Sequence, residues 1–241
     1  MRRGLYILLA LLLSTAMDAQ KRSNAKITNL GDFDTRTYHF GVQLSYNTAD
    51  FFVQQRLDPS FQDSILTLQH VSQPGFNIAI IGSLNLTKNL SIRLIPGISP
   101  KERILDYTIL DEQGRSIAYR KTVSSFYIDV PVIFKYRTDR INNFAAYLIG
   151  GAEWSRDMAS QEKVNNNSAG VNEQVVKIKR NDYLAAFGGG FDFFLPYFKF
   201  GIELKMNIGF DNILLDDGTV FSRNLESLRS RNFVLSLTFE G

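Results

Sequence analysis

The chain has 241 residues, 27 Lys and Arg against 24 Asp and Glu, a formal charge of +3 and no cysteine. That length fits one barrel or one large domain, and the missing cysteines exclude disulfides, a cysteine-linked lipid anchor and thiolate chemistry. Mean hydropathy is −0.10, which suits a soluble protein and equally a transmembrane barrel, where only alternate residues meet lipid.

The N-terminus reads MRRGLYILLALLLSTAMDAQ. Arg2 and Arg3 form a positive start, Leu5 to Leu13 a short apolar stretch, and Ala19 precedes a cleavage point. This predicts a secretory signal peptide over residues 1–19, too short to span a membrane as a helix. Without it the chain keeps 25 basic and 23 acidic residues, a charge of +2. The bases are dispersed among acids, so the basic pI does not indicate nucleic acid. Residues 20–37 are polar and aperiodic, which predicts a loosely ordered periplasmic lead before a domain over 38–241.

That domain alternates with period two. Strand one, 38–51, sets Tyr38, Phe40, Val42, Leu44 and Tyr46 against His39, Gly41, Gln43, Ser45 and Asn47. A polar connection, 52–73, follows. The next hairpin is the clearest: Phe76, Ile78, Ile80, Leu84 and Leu86, a turn at Lys88-Asn89, then Leu90, Ile92, Leu94 and Ile98. Its arms run about ten residues, the length that crosses a bilayer as a tilted strand. Strand three continues to about Leu110, and strand four returns over 117–136, where Pro131 marks a bulge or local defect because it cannot donate to a ladder. Strands five to eight follow at 144–156, 183–195, 198–210 and 231–240. Connections after strands one, three, five and seven are long or extended, whereas those after two, four and six are short. A soluble β-sandwich has no reason to show that asymmetry. Together these features predict an all-β, eight-stranded antiparallel up-and-down barrel in the outer membrane, with both termini periplasmic.

The faces turned from lipid carry Arg93, Asp129, Lys135, Glu153, Asp192, Glu203 and Lys205. Eight strands leave an interior only wide enough for side chains, so these charges predict a salt-bridged structural network rather than a charged pore. His39 and His70 are the only histidines and the only candidates for a lipid-modifying site of the serine–histidine–acid type. Neither spacing nor partners in sequence support that, or a metal pair. The run Gly188-Gly189-Gly190 lies inside a strand and predicts close packing or curvature, not a phosphate loop. No cofactor, metal, nucleic acid or small-molecule substrate is indicated.

Four segments carry a family resemblance: Pro74-Gly75-Phe76-Asn77 with its strand; Leu90-Ser91-Ile92-Arg93-Leu94-Ile95-Pro96-Gly97-Ile98; Tyr127 to Tyr136 with Asp129-Val130-Pro131; and Gly190 to Phe194 with Phe198 to Glu203. Over nearly the whole mature chain the sequence resembles the PorT family, outer-membrane barrels of the type IX secretion system of Bacteroidota. The resemblance implies a non-enzymatic component needed to export proteins with a C-terminal targeting domain. Its partners would be the outer-membrane bilayer and other secretion components. Pore width argues that the barrel is not the conduit. The loops 158–182 and 211–230 are the expected interaction surface. The alternatives are a general surface barrel for adhesion or ligand binding, a lipid-modifying enzyme and a passive pore.

Overall fold

A computed structural model describes residues 28–56, 65–110, 114–164, 166 and 173–241. Its strands are β1 (Tyr38–Gln55), β2 (Ile65–Asn85), β3 (Leu90–Leu94), β4 (Gly97–Leu110), β5 (Ser116–Arg137), β6 (Phe144–Asp157), β7 (Asn181–Phe194), β8 (Lys199–Gly209) and β9 (Leu225–Glu240). Every neighbouring pair is antiparallel, and β1 closes the ring by pairing with both β2 and β9. β3 and β4 occupy one place between β2 and β5. The molecule is therefore an eight-stranded up-and-down barrel. Closure leaves no edge through the membrane-spanning part, as a bilayer without hydrogen-bonding partners requires. Among the described residues no helix is long and apolar enough to cross a membrane.

Two prolines divide the third strand from the hairpin pattern without shifting it. Ile95 N–H donates to the Pro131 carbonyl at 3.1 Å, and Ile80 N–H donates to the Pro96 carbonyl at 3.0 Å. The return bond is missing in each pair because proline has no N–H. Register is the same on both sides of the gap, with Leu94↔Val132 below and Gly97↔Asp129 above. Pro131 thus makes a local defect, not a bulge.

The outward positions form an apolar band. At the end with long loops it finishes at Tyr46, Phe76, Phe126, Tyr183, Phe210 and Phe233, and at the end with short turns at Tyr38, Leu84, Tyr136 and Tyr197, all exposed on the outer wall. Aromatic rings at both borders are what the two membrane–water interfaces favour. Both the first described residues and the C-terminus lie at the short-turn end, where Gly241 N–H donates to the Phe40 carbonyl.

Several strands run far beyond the band. β1 extends to Gln55, so residues 52–55 are strand rather than connection; β2 begins at Ile65, not near Pro74; and β9 begins at Leu225, not Arg231. The reason is chemical. Above the band the outward residues become Glu102, Asp106, Arg120 and Ser124, so apolar alternation fades while the backbone ladder continues. Within this tall section, β2 pairs with β4 but its recorded pairing with β1 ends at Ala49↔Gln73.

Candidate functional site

The interior is filled in layers. At the short-turn end, residues 28–37 do not trail away as a loose lead. Gly31–Asp34 forms a 3-10 turn that plugs the mouth with Phe33, which packs on Ala145 and Phe194. Asp34 binds Arg137 at 2.5 Å and Arg140 at 2.7 Å. The Arg140 guanidinium lies 3.3 Å over the Phe194 ring, and Lys199 Nζ lies 4.6 Å over Phe33. Asn29 adds bonds to Asn143 and to the Phe194 carbonyl. The expected signal peptide and residues 20–27 lie outside the described residues.

Behind the plug sits the first ionic layer. Arg93 is completely buried; its guanidinium reaches Glu203 at 2.9 Å and Glu240 at 3.5 Å. Lys199 meets Glu240 at 3.0 Å, and Lys135 meets Asp192 at 2.8 Å. Tyr147 completes it, donating to Glu203 at 3.2 Å with Lys135 Nζ 3.6 Å from its ring centre. Gly190 makes room for that ring: a Cβ there would lie 2.6 Å from the Tyr147 hydroxyl. Next comes an apolar layer of Ala79, Ile81, Ile95, Ile133, Ile149 and Ala186. A second ionic layer follows. Lys101 binds Asp129 at 2.9 Å, Lys205 approaches Glu153 at 3.8 Å, Ser155 donates to Asp129 at 2.6 Å and Asn207 to Glu153 at 2.8 Å.

All seven charged residues singled out from sequence lie in these two layers. Three partners were missed as members: Lys101, Lys199 and Glu240. Lys199 falls on the same alternation as Glu203 and Lys205, so parity alone could have found it. Glu240 follows the final phenylalanine at the very end of the last strand, and parity with Ser236 and Thr238 turns it inward. The ten side chains are five cations and five carboxylates, each with an opposite charge within 4 Å. A charge buried without such a partner would be strongly destabilising. Two interior clefts, one beside His39 and one beside Gln43, have volumes of only about 20 Å³, room for about one water each.

Among the described residues neither histidine is hydrogen-bonded to a serine. His39 Nε2 meets Glu240 at 2.6 Å, and its ring lies tilted against Phe33 with ring centres 4.5 Å apart. Ser83 lies opposite it in the ladder, but the Ser83 hydroxyl makes no hydrogen bond, to His39 or otherwise, among the described residues. His70 stands elsewhere, bound through Nδ1 to Asp50 at 2.9 Å, which also holds Arg231 at 2.8 Å. Among the described residues no group of His, Cys, Asp and Glu is arranged to hold a metal ion.

The long-loop end has a dry core of its own. Phe51, Leu105, Tyr107, Ile109 and Val123 from the tall wall meet Val176 and Ile178 of one loop, and Ile213, Leu214 and Phe221 of the next. Phe221 lies at the centre, on a single helical turn, α1 (Val220–Arg223), capped by the Thr219 hydroxyl. It packs edge-on against Tyr107 at 5.0 Å and Tyr119 at 5.7 Å. The two loops are stitched by an Ile178↔Leu214 bridge and by Lys179 N–H donating to the Ile213 carbonyl at 2.8 Å. Asp217 anchors the junction, accepting from Asn166 at 2.6 Å and Ser222 at 3.1 Å and pairing with Lys177 at 3.3 Å. The described parts of both candidate loops are thus one packed cap.

Among solved structures, the chain is similar to the outer membrane protein OprG from Pseudomonas aeruginosa, with 10% identity over 86% of this chain and 97% of that one, TM-score 0.48. It is also similar to Neisserial surface protein A, with 10% identity over 83% and 96%, TM-score 0.42. A third likeness is Ail, the attachment invasion locus protein of Yersinia pestis, with 14% identity over 86% and 100%, TM-score 0.40. At these identities and TM-scores the likenesses do not bear on function. No curated protein matches the sequence. Residues 18–215 match one protein family. With that match and a closed eight-stranded ring banded by lipid-facing side chains, the chain belongs to the outer membrane protein beta-barrel domain family.

Proposed function

We propose that this barrel is a non-enzymatic accessory component of a type IX secretion system, required for export of proteins with a C-terminal targeting domain but not itself their conduit. The observation that carries this reading is the resemblance to the PorT family in the Arg93-to-Ile98 and Asp129-to-Pro131 segments and the strands around them. The interior supports the second half of the reading. Two ionic layers, an apolar layer and a plug occupy a lumen that eight strands make narrow. In this reading the charged network is structural, the plug and both termini face the periplasm, and the cap faces outward. Secretion partners would be met at the plug or the cap, where rigid elements present side chains at the two rims.

The cap favours a second reading, a surface barrel that binds a ligand unrelated to secretion, because its loops are packed into a defined shape. One experiment separates the two. The gene is deleted and the proteins of medium, cell surface and periplasm are quantified. The secretion reading predicts that proteins with the targeting domain vanish outside, accumulate inside and return with a plasmid copy. An unchanged exported set would leave the ligand-binding reading.

A further inference from the structure

The outer wall changes character just above the aromatic border on β6 and β7. Trp154 and Tyr183 lie opposite each other in the ladder and end the apolar band there. The next outward residue of β6 is Arg156, opposite Asn181 on β7. Along a strand tilted by about 45° that step rises about 5 Å. Arg156 therefore starts within the headgroup layer, which is about 5–8 Å deep on each side of a bilayer. The pairing continues past the strand ends, with Asp157 N–H donating to the Arg180 carbonyl at 2.8 Å, so Lys179 lies diagonally across from Arg156. Ile178 is buried in the cap core, which turns Lys179, the next residue, to the outside, where it is exposed. The bond from Lys179 N–H to the Ile213 carbonyl at 2.8 Å fixes that place.

The charge at this corner is uncompensated. Elsewhere on the same border Arg120 is held by Asp106 at 2.7 Å and Arg231 by Asp50 at 2.8 Å. Among the described residues neither Arg156 nor Lys179 makes an ion pair, and Arg180 beside them donates Nε only to the Asp157 carbonyl, at 3.0 Å. The adjacent acids, Asp157 and Asp182, are buried on the inward face. Asp211 is exposed beyond Phe210 and pairs with neither cation. The outward neighbours Ser124, Phe126, Met158, Asn181 and Phe210 carry no charge. Long side chains set diagonally across a strand pair, about 7–8 Å apart, reach each other, and like charges so placed repel. An anion between them removes that cost.

We propose that Arg156 and Lys179 bind the phosphate monoester of a lipid A headgroup. Such a phosphate carries about −1.5 to −2 charges and three acceptor oxygens, which matches two cations, whereas the phosphodiester of a glycerophospholipid carries one charge. Arg156 supplies a planar fork for two of those oxygens, and Lys179 a mobile point charge for the third. The position selects a lipid over a soluble anion, since the acyl chains of a lipid held here lie along the apolar band below Trp154 and Tyr183. The choice of an outer-leaflet lipid rests on the cap facing outward, as in the reading above.

The test uses the mature full chain, refolded in detergent and mixed with equal amounts of lipid A, lipid A stripped of its phosphates, and phosphatidylglycerol. Native mass spectrometry reads what each barrel retains. The wild type should retain lipid A at least fivefold over either competitor. Arg156→Gln and Lys179→Gln should each lower that retention at least fivefold, and Arg156→Lys, which keeps the charge but loses the fork, should fall between. Arg229→Gln removes another exposed cation, on the outward face of β9, and should change retention less than twofold. Heat-modifiable migration on gels shows that each variant is folded. Equal retention of lipid A with and without phosphate, a preference for phosphatidylglycerol, no loss in Arg156→Gln and Lys179→Gln, or an equal loss in Arg229→Gln would each overturn the proposal. The assay needs neither secretion nor a cell, so it can fail while the gene deletion supports the secretion reading, and succeed while the deletion does not.

Discussion

Arg93 shows what a single side chain does inside this barrel. It is completely buried and holds Glu203 and Glu240 together. Truncation leaves Glu203 buried with the Tyr147 hydroxyl as its one other bond among the described residues, while Glu240 keeps Lys199 and His39. Arg93→Ala is therefore expected to cost about 3–5 kcal/mol of stability, the cost of breaking a buried pair from one side. Urea unfolding in lipid vesicles measures this. A loss under 1 kcal/mol, the size of an exposed pair, would show that water reaches the layer. Removing Glu203 together with Arg93, as Met at both positions, should cost less than the single change, because no charge of that pair is left behind. At this scale the sequence was informative where period two held: Arg93, Lys135 and Glu203 could be placed inside from parity alone. It was uninformative about who pairs with whom, since Arg93 and Glu240 are joined only when β3 and β9 curl across the same lumen.

The plug and the cap are the two elements that sequence reading gave least account of, and for one reason. Neither has a period. The plug holds its place through one ring, Phe33, and one carboxylate, Asp34, between two arginines; a polar stretch with a single phenylalanine does not announce that. The cap draws its apolar residues singly from two loops and five strand ends, so no stretch of it looks like core. The packing nevertheless makes it a unit. Phe221→Ala should cost about 3–5 kcal/mol of cap stability, as for other buried phenylalanines. The loss should appear as faster proteolysis near Val176 and Ile213 while the barrel still migrates as folded; unchanged proteolysis would mean that the loops hold without that ring.

Acid should loosen the cap as well. Burial by itself raises the Asp217 pKa, but bonds from Asn166, Lys177, Thr219 and Ser222 outweigh it and leave the carboxyl below its ordinary value of 3.8. A lowered folded-state pKa contributes stability that is present above the ordinary value and is lost as pH falls through the lowered one. Amide exchange at Lys179 and Leu215 should thus be protected at neutral pH and accelerate as pH falls below about 4. In Asp217→Asn that acid-dependent step should be absent. Equal acid sensitivity in wild type and variant would assign the effect to other carboxylates.

At the scale of the whole molecule, the eight places in the ring, the lipid-facing band and the alternation of short turns with tall extensions were legible from period two and from connection length. The height of the wall was not, because the signal that marks a strand in lipid is apolar alternation, and it stops where lipid stops. The stacked interior follows from the small circumference: with room for only isolated waters, the ten charges of the two ionic layers are each held against an opposite charge. A barrel built this way has a filled interior from end to end, and the proposed role in secretion depends on that solidity. The chain has no cysteine of its own, so a single disulfide can lock the plug to the wall, between Asn29→Cys and Asn143→Cys, positions already joined by a 2.8 Å hydrogen bond. The measurement to make is export of proteins with the C-terminal targeting domain by a strain lacking the gene and carrying either the wild-type or the locked barrel. The account predicts that export fails in the empty strain and is restored equally by both. Restoration by the wild type but not by the locked form would contradict it, since the barrel would then have to open in order to work.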